Sequence, residues 1–562
     1  MTPDLFEAAV RAGRSFAGQT LSDLDLRGRN IAGADLTGAK IIGLRASGAN
    51  LEGCSLKDAV LPMADLGGAR LVNADLRGAK LPQANLVGAD LRGARLEGAV
   101  FAKAALSRTS LRGMDLGGAH FDMARLEGAD LEGASLVETS FSEADLTGAI
   151  FRGAKIRNAA FPKATLVGAD FTGAELVGVL LSKADLRGAK LPRKVERTLF
   201  DGAILSSPDL RRSSLQGSDL EGLDLSKVDL EGANLTGSSL QGACLRGANL
   251  RGAKLERCLL SRCDLTGADL TDAQLRSCVL SEAVLQGVDL SGHDLTMVTM
   301  QKADLRGAKL AGARIERCIL DGADLTGVDL TRAMLKSVVM RKAIVDGLVM
   351  DKATFTAVDF SGVDLKKLPL RGKTMHRCLF RGADMAGMDL SVGDFTDCNF
   401  IETNLRKATF EGSILHRAKF MGAKLDGANL HEVNAKGAFF GHAALEGARL
   451  TKAKLRNATF TEAEMAHANL AGSDLRETTF VRARAPNASF FGAQLDYADL
   501  SHADVTRADL RAASLLHANL HALRDQNALY ADAKLTGARR TDLDRLEAEV
   551  WLPPTFHVEE TP

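Results

Sequence analysis

A five-residue period governs almost the whole chain. Ala34-Asp35-Leu36-Thr37-Gly38 is echoed by Ala74-Asp75-Leu76-Arg77-Gly78 and Ala89-Asp90-Leu91-Arg92-Gly93, a pattern A-(D/N)-L-x-G. Large apolar residues hold every fifth position from Leu21 to Leu191 and again from Phe200 to Leu535, one residue having been lost between. The interruptions are Ala46, Ala435, Ala485 and Asp525. Five is neither the 3.6 of a helix nor the 2 of a plain strand, so the chain must be reset at every repeat. Alternation along a short extended segment turns the central Leu and the small residue two before it inward, leaving the Asp or Asn between them outside. The x-G pair then turns a corner. Gly78, third in the turn Leu76-Arg77-Gly78-Ala79, suits a type II turn, whose third residue needs positive φ.

The phenylalanines set the number of sides. Phe101, Phe121, Phe141 and Phe161 are spaced by 20, as are Phe360, Phe380, Phe400, Phe420, Phe440, Phe460 and Phe480. Four repeats therefore close one square coil, and rings one coil apart form an offset ladder at the ~4.8 Å strand spacing. The face continues through Leu181 to Phe200 with a last step of 19. Residues 192–199 are thus a one-residue register break and not a domain boundary. With about one hundred repeats, the sequence resembles the pentapeptide-repeat family over residues 21–535. The resemblance implies an all-β, right-handed quadrilateral β-helix of about 26 coils, on the order of 120 Å long at the strand spacing.

A solenoid needs covered ends. At the start, Thr2-Pro3 reads as a helix start and Phe6, Ala9 and Val10 as its apolar stripe, giving a helical cap over residues 1–20. At the other end, Thr541 caps a helix carrying Leu543, Leu546 and Val550, stopped by Pro553-Pro554, within a cap and tail over 536–562. Between them lie two repeat segments, 21–191 and 200–535. Proteins that this one resembles dimerise through the C-terminal end, so a monomer or such a homodimer is expected.

Lysine plus arginine equal aspartate plus glutamate, 71 each, so no net field draws the chain to nucleic acid or an anionic membrane. No stretch approaches a membrane span, and Met1 to Phe16 lacks a signal-peptide core. Cys54, Cys258, Cys263, Cys278, Cys318, Cys378 and Cys398 occupy the inward small-residue slot and only Cys244 faces out. They read as reduced packing thiols of a cytoplasmic protein, because Val298, Val338 and Val358 fill gaps in their column. His416, His431, His442, His467, His502, His517 and His521 read as outward or corner residues, so neither metal nor cofactor is expected.

Two surface features bear on function. Outward Asp264, Asp304, Asp324, Asp364 and Asp384 form a column. Gyrase-protecting proteins that the chain resembles mimic DNA with carboxylates, but Arg246, Arg306 and Arg406 beside the column cancel its field. On the Phe face the outward slot instead holds Leu259, Val279, Ile319, Val339 and Leu379, with Thr299 and Asp359 interrupting. Contiguous apolar patches mark partner sites. A convex repeat filled by Leu, Phe and Ala predicts no pocket of ~300 Å³ or more and no catalytic residues. The expected function is a non-enzymatic bacterial scaffold or adaptor binding another protein. The alternatives are a DNA-mimic regulator of an enzyme such as a topoisomerase, and an effector or accessory of a secretion system, which similar long repeat proteins accompany.

Overall fold

The backbone of one pentapeptide shows why the repeat is five residues long. Asp75 N–H donates to Cys54 O in the preceding coil at 2.9 Å, while Leu76 N–H donates to Arg95 O at 2.8 Å and Gly78 N–H to Glu97 O at 3.0 Å in the following one. Ala79 N–H closes the turn on Leu76 O at 3.0 Å. The fifth group, Arg77 N–H, is taken by Asp75 Oδ1 at 3.2 Å. Every donor of the repeat is thereby satisfied, as a buried backbone requires.

The computed structural model describes residues 1–206 and 208–550. It is a parallel β-solenoid in two compact units, Met1–Asp304 and a second starting at Leu305. Sides are so short that most coils touch through single bridging residues such as Asp35↔Ser55 and Ser55↔Asp75, each pair 20 apart. In the first unit Ser135–Val137, Lys155–Arg157, Glu175–Val177 and Lys194–Glu196 extend into a four-stranded parallel sheet. Arg314–Glu316, Met334–Lys336, Thr354–Thr356 and Met375–His376 do so in the second. Glu175 pairs with Lys194, so the coil here closes on nineteen residues.

The corner conformation belongs to the position and not to glycine. Gly78 has φ of 64°, but Met63, Asn73 and Lys103 stand in the same left-handed region at 54°, 59° and 59°. A residue with a Cβ there costs about 1–2 kcal/mol, offset by the inter-coil bonds that the turn makes possible.

Inside, the central residues and the small residues two before them are buried together. Phe360, Phe380, Phe400 and Phe420 have no exposed surface. Successive centroids from Phe360 to Phe480 lie 4.8–5.4 Å apart with nearly parallel planes. The first unit has its own stack, Phe101 to Phe161, with Phe151 and Phe171 stacked at 4.6 Å on a second wall. Ala46, Ala435 and Ala485 stay buried at centre positions. Asp525 accepts the Tyr530 hydroxyl at 2.9 Å.

Helix α1 (Pro3–Arg11) starts with Pro3 in its first turn, and Thr2 Oγ1 accepts from Leu5 N–H at 3.4 Å. Its Phe6 is buried and stacks at 4.3 Å on Phe16, covering the first coil. Helix α2 (Leu543–Val550) departs from the expected apolar cap. Asp542, not Thr541, accepts from Arg545 N–H at 3.1 Å, while Thr541 Oγ1 accepts from Ala522 N–H at 3.2 Å. Leu543 is 73% exposed and Leu546 half-buried, so polar contacts hold this helix instead. The proposed stop at Pro553-Pro554 lies outside the described residues, as does the side chain of Val550.

Truncating one ring inside the ladder should be felt locally, because coils contact only their neighbours. Phe420→Ala is expected to lower the stability of the surrounding coils by about 3–5 kcal/mol, read by native-state hydrogen exchange. Phe439→Ala, at an outward position, should change it by less than about 0.5 kcal/mol.

Candidate interaction surface

The outward Asp or Asn has a task beyond facing water, which the repeat pattern alone did not reveal. Its side-chain oxygen accepts the backbone N–H two residues on, the donor that the coils leave over. Asp25 receives Arg27 N–H at 3.2 Å, Asn50 receives Glu52 at 3.1 Å, and Asp264 receives Thr266 at 2.9 Å. Where arginine fills the x position, as in Asp25-Leu26-Arg27, its guanidinium folds back in a bidentate pair with Nη2–Oδ2 of 2.6 Å. The same pair recurs at Asp75–Arg77, Asp90–Arg92, Asp185–Arg187, Asp474–Arg476 and Asp509–Arg511. The Arg27 and Arg211 guanidiniums, with their backbone N–H groups, pull the Asp25 and Asp209 carboxyls down to about 2. Burial would raise Asp170, but its bonds to Thr172 and Arg152 outweigh this and hold it well below the usual carboxylate range.

Four of the five aspartates of the acidic column have a cation beside them. Arg246 lies 3.5 Å from Asp264 in the first unit. In the second, Arg306 lies 3.9 Å from Asp324, Lys366 pairs with Asp384, and Lys367 lies 3.9 Å from Asp364. Asp304 also has interactions. Arg406 pairs with Asp426 at 2.9 Å and donates its backbone N–H to Asn404.

The apolar outward residues of the wall read from sequence fall into two groups, and Ile344, Val349 and Ile414 are exposed in outward slots on other walls of the second unit. In the first unit Leu259 bridges Val279, which bridges Thr299, and Leu259 is 40% exposed. The same unit pairs exposed Leu180 with Leu199 in this outward slot, two residues that the stripe as read from sequence omitted. In the second unit Ile319 bridges Val339 directly, Asp359 separates Val339 from Leu379, and the column runs on through Asn399 and Lys419 to Phe439. Ile319, Leu379 and Phe439 are exposed, and Val339 is half-buried. The Ile319–Val339 pair is framed by charges that already have partners. On one corner Glu316 binds Arg314 and, at 3.2 Å, Lys336; on the other Asp321 binds Arg341. An aliphatic side chain offers no acceptor to the leftover N–H, and after Val339 that donor, Arg341 N–H, turns to Asp321 Oδ1 at 3.0 Å.

The thiols serve the interior. Cys258 Sγ donates to Leu235 O at 2.8 Å, Cys263 to Leu240 O at 2.6 Å and Cys278 to Leu255 O at 2.7 Å, contacts that Ser238 and Thr403 reproduce with hydroxyls. Burial pushes Cys54 up to about 11 and Cys258, Cys263 and Cys278 up to about 12. Cys244 alone is partly exposed.

Two expectations need correction. The outward or corner histidines do not all face water: His521 stands at a corner but is 2% exposed beneath α2, where it and His502 meet at Glu549. The surface is also not without clefts, since one of about 1140 Å³ adjoins α2 and one of about 490 Å³ surrounds His293. His293 stands in the inward slot that alanine usually fills and reaches Leu270 O at 2.9 Å. A bulky polar residue in that slot was a sequence signal that could have found it.

The fold and the surface chemistry recur with the pentapeptide. Family models described as pentapeptide repeats match residues 21–58, 64–98, 84–122, 124–161, 157–192, 203–242, 213–252, 243–281, 278–317, 300–336, 308–347, 394–431 and 488–522, and a pentapeptide repeat region matches 413–490. The chain belongs to the pentapeptide-repeat family. No curated protein matches this pentapeptide-repeat chain by sequence. Among solved structures it is similar to HetL, a pentapeptide repeat protein involved in heterocyst differentiation regulation from Nostoc sp. strain PCC 7120. The identity is 31% over 39% of this chain and 89% of HetL, with a TM-score of 0.21. QnrB1, a plasmid-mediated fluoroquinolone resistance protein, shares 18% identity over 35% of this chain and 97% of its own, TM-score 0.17. The PL6 family alginate lyase AlyGC shares 9% over 96% and 98%, TM-score 0.19. With TM-scores this low the likenesses carry no argument about activity, and family membership rests on the repeat.

Two measurements check this chemistry. Under native conditions a thiol reagent should label Cys244 within minutes and leave Cys258, Cys263 and Cys278 unlabelled until denaturant is added. Carboxylates lowered in the fold contribute stability that is complete above about pH 4, the ordinary aspartate range. That contribution is lost as pH falls toward about 2, where Asp25 and Asp209 titrate. Arg27→Ala should move the Asp25 titration upward, followed by carboxylate NMR shifts.

Proposed function

We propose that this pentapeptide-repeat protein is a non-enzymatic scaffold that binds another protein on the wall of its second unit that Leu320, Met340, Phe360 and Phe380 back from inside. The contact residues are Ile319, Val339 and Leu379, and Leu259 and Val279 form a separate apolar pair in the first unit. The observation that carries this reading is the exchange made in the outward slot. An Asp or Asn there contributes a hydrogen bond worth about 0.5–1.5 kcal/mol net; an aliphatic residue forgoes it and presents apolar surface to water. Ile319 is 40% exposed beside half-buried Val339, in a frame of ion-paired corners. An apolar centre with a polar rim is how protein interfaces are built. The partner is accordingly a protein surface offering apolar side chains to a narrow strip, with polar groups around it.

No helix among the described residues is long and apolar enough to cross a membrane. None of the cysteines forms a disulfide among those residues, which suits work in a reducing cytoplasm. The paired carboxylates favour this reading over imitation of DNA, since a phosphate mimic needs an uncancelled negative field.

Restoring the family residue separates binding from folding. Ile319→Asn with Val339→Asn should leave thermal unfolding and Cys258 protection unchanged while removing the specific proteins captured from the source cells, identified by mass spectrometry. An unchanged set of captured proteins would sink the proposal. A topoisomerase supercoiling assay should show no protection.

A further inference from the structure

We propose that the C-terminal end carries a binding site for a borderline divalent cation, of which Zn²⁺ is the type, built from His502, His521 and Glu549. The three residues come from successive coils and from α2. His502 Nε2 lies 2.9 Å and His521 Nε2 3.2 Å from the same carboxylate oxygen, Glu549 Oε2. Their three ligand atoms all fall within 4.8 Å of one another. Zinc bonds of ~2.0–2.1 Å in tetrahedral geometry separate ligand atoms by roughly 3.3 Å, so small side-chain shifts suffice to admit the ion. Two imidazoles and one carboxylate form a donor set that such ions take, leaving a fourth position open.

The surroundings fit a held site more than a chance meeting on the surface. The His521 side chain is 3% exposed, and the two rings stand at 77° with centroids 5.3 Å apart. Arg545 Nε fixes the other oxygen, Glu549 Oε1, at 2.7 Å and so turns Oε2 toward the histidines. The open side faces the cleft of about 1140 Å³, lined also by Arg482, Asp499 and Arg524. Loading has a definite cost. Asp542 N–H donates to His521 Nδ1 at 3.2 Å, which places the proton of neutral His521 on Nε2. Binding a cation through Nε2 moves that proton to Nδ1 and gives up the Asp542 bond. Capture is therefore coupled to a shift at the start of α2.

The test uses the full chain, purified without a polyhistidine tag and stripped with a chelator. Titration with Zn²⁺ by calorimetry should show one site per chain, and Co²⁺ should give the visible spectrum of a nitrogen–oxygen set without a thiolate charge-transfer band. His502→Ala and Glu549→Gln should each weaken binding by more than about tenfold, while His293→Ala leaves it unchanged. Thermal unfolding, together with hydrogen-exchange protection of the Leu500 and Leu520 N–H groups in the last coils, verifies that each variant is folded. Hydrogen exchange at Asp542 should rise on loading. Absence of binding by the wild-type chain, or unchanged affinity in the His502→Ala, Glu549→Gln double variant, would overturn the site and leave a hydrogen-bonded clasp.

Discussion

The constraint on which this molecule depends is the closure of backbone hydrogen bonds over a twenty-residue coil. Three of five N–H groups in each repeat reach an adjacent coil and a fourth closes the corner. The fifth finds no backbone acceptor within that scheme. The frequent Asp or Asn before each central residue answers that shortage with its own oxygen, as Asp75 does for Arg77. The recurring small residue has an equally specific cause, because two layers of inward side chains must fit between walls only one short side apart. Cysteine, serine and threonine are accepted there when they return a bond to the interior, as Cys258, Ser238 and Thr403 do.

This scheme also governs the electrostatics. Carboxylates held beside the backbone lie within reach of an arginine two residues on or one coil away, and the pairs form along the walls. Each exposed pair contributes little to stability, but collectively they remove the negative field that a column of aspartates would generate. Charge balance across the sequence thus has a local counterpart. What then distinguishes one stretch of wall from another is where the acceptor has been abandoned on adjacent coils, as in the directly bridged pairs Leu259–Val279 and Ile319–Val339.

Much of the fold was legible because it repeats. The phenylalanines every 20 positions define one wall, and the stacked rings from Phe360 to Phe480 occupy it. The outward direction of Asp and Asn was legible too, but not their use, since periodicity reports which way a side chain points and not which donor lacks a partner. The site residues divide in the same way. Aliphatic residues in a polar column stand out against a hundred-fold pattern, whereas Leu180 and Leu199 were obscured by the nineteen-residue step between them. The His502–His521–Glu549 cluster was not legible, because Glu549 lies beyond the last repeat, where no period relates it to the coils. The same loss of pattern misassigned the cap of α2 from Asp542 to Thr541.

The two ends answer one physical problem with different chemistry. An end coil exposes unpaired backbone groups and the edges of its inward side chains, and something must cover them. At the start, Phe6 does so by extending the aromatic contact of Phe16, and Asp4 and Glu7 of the same helix pair with Arg29. At the other end the inward positions of the last coil hold Asp525 and Tyr530, bonded to each other, and α2 is fastened by Glu549 to two histidines rather than by Leu543. Carboxylates take part at both ends, but the guanidinium of Arg29 has no lone pair to offer a cation, whereas an imidazole does. The C-terminal cover therefore responds to whatever competes for those nitrogens, a hold that the cover of the first coil does not offer.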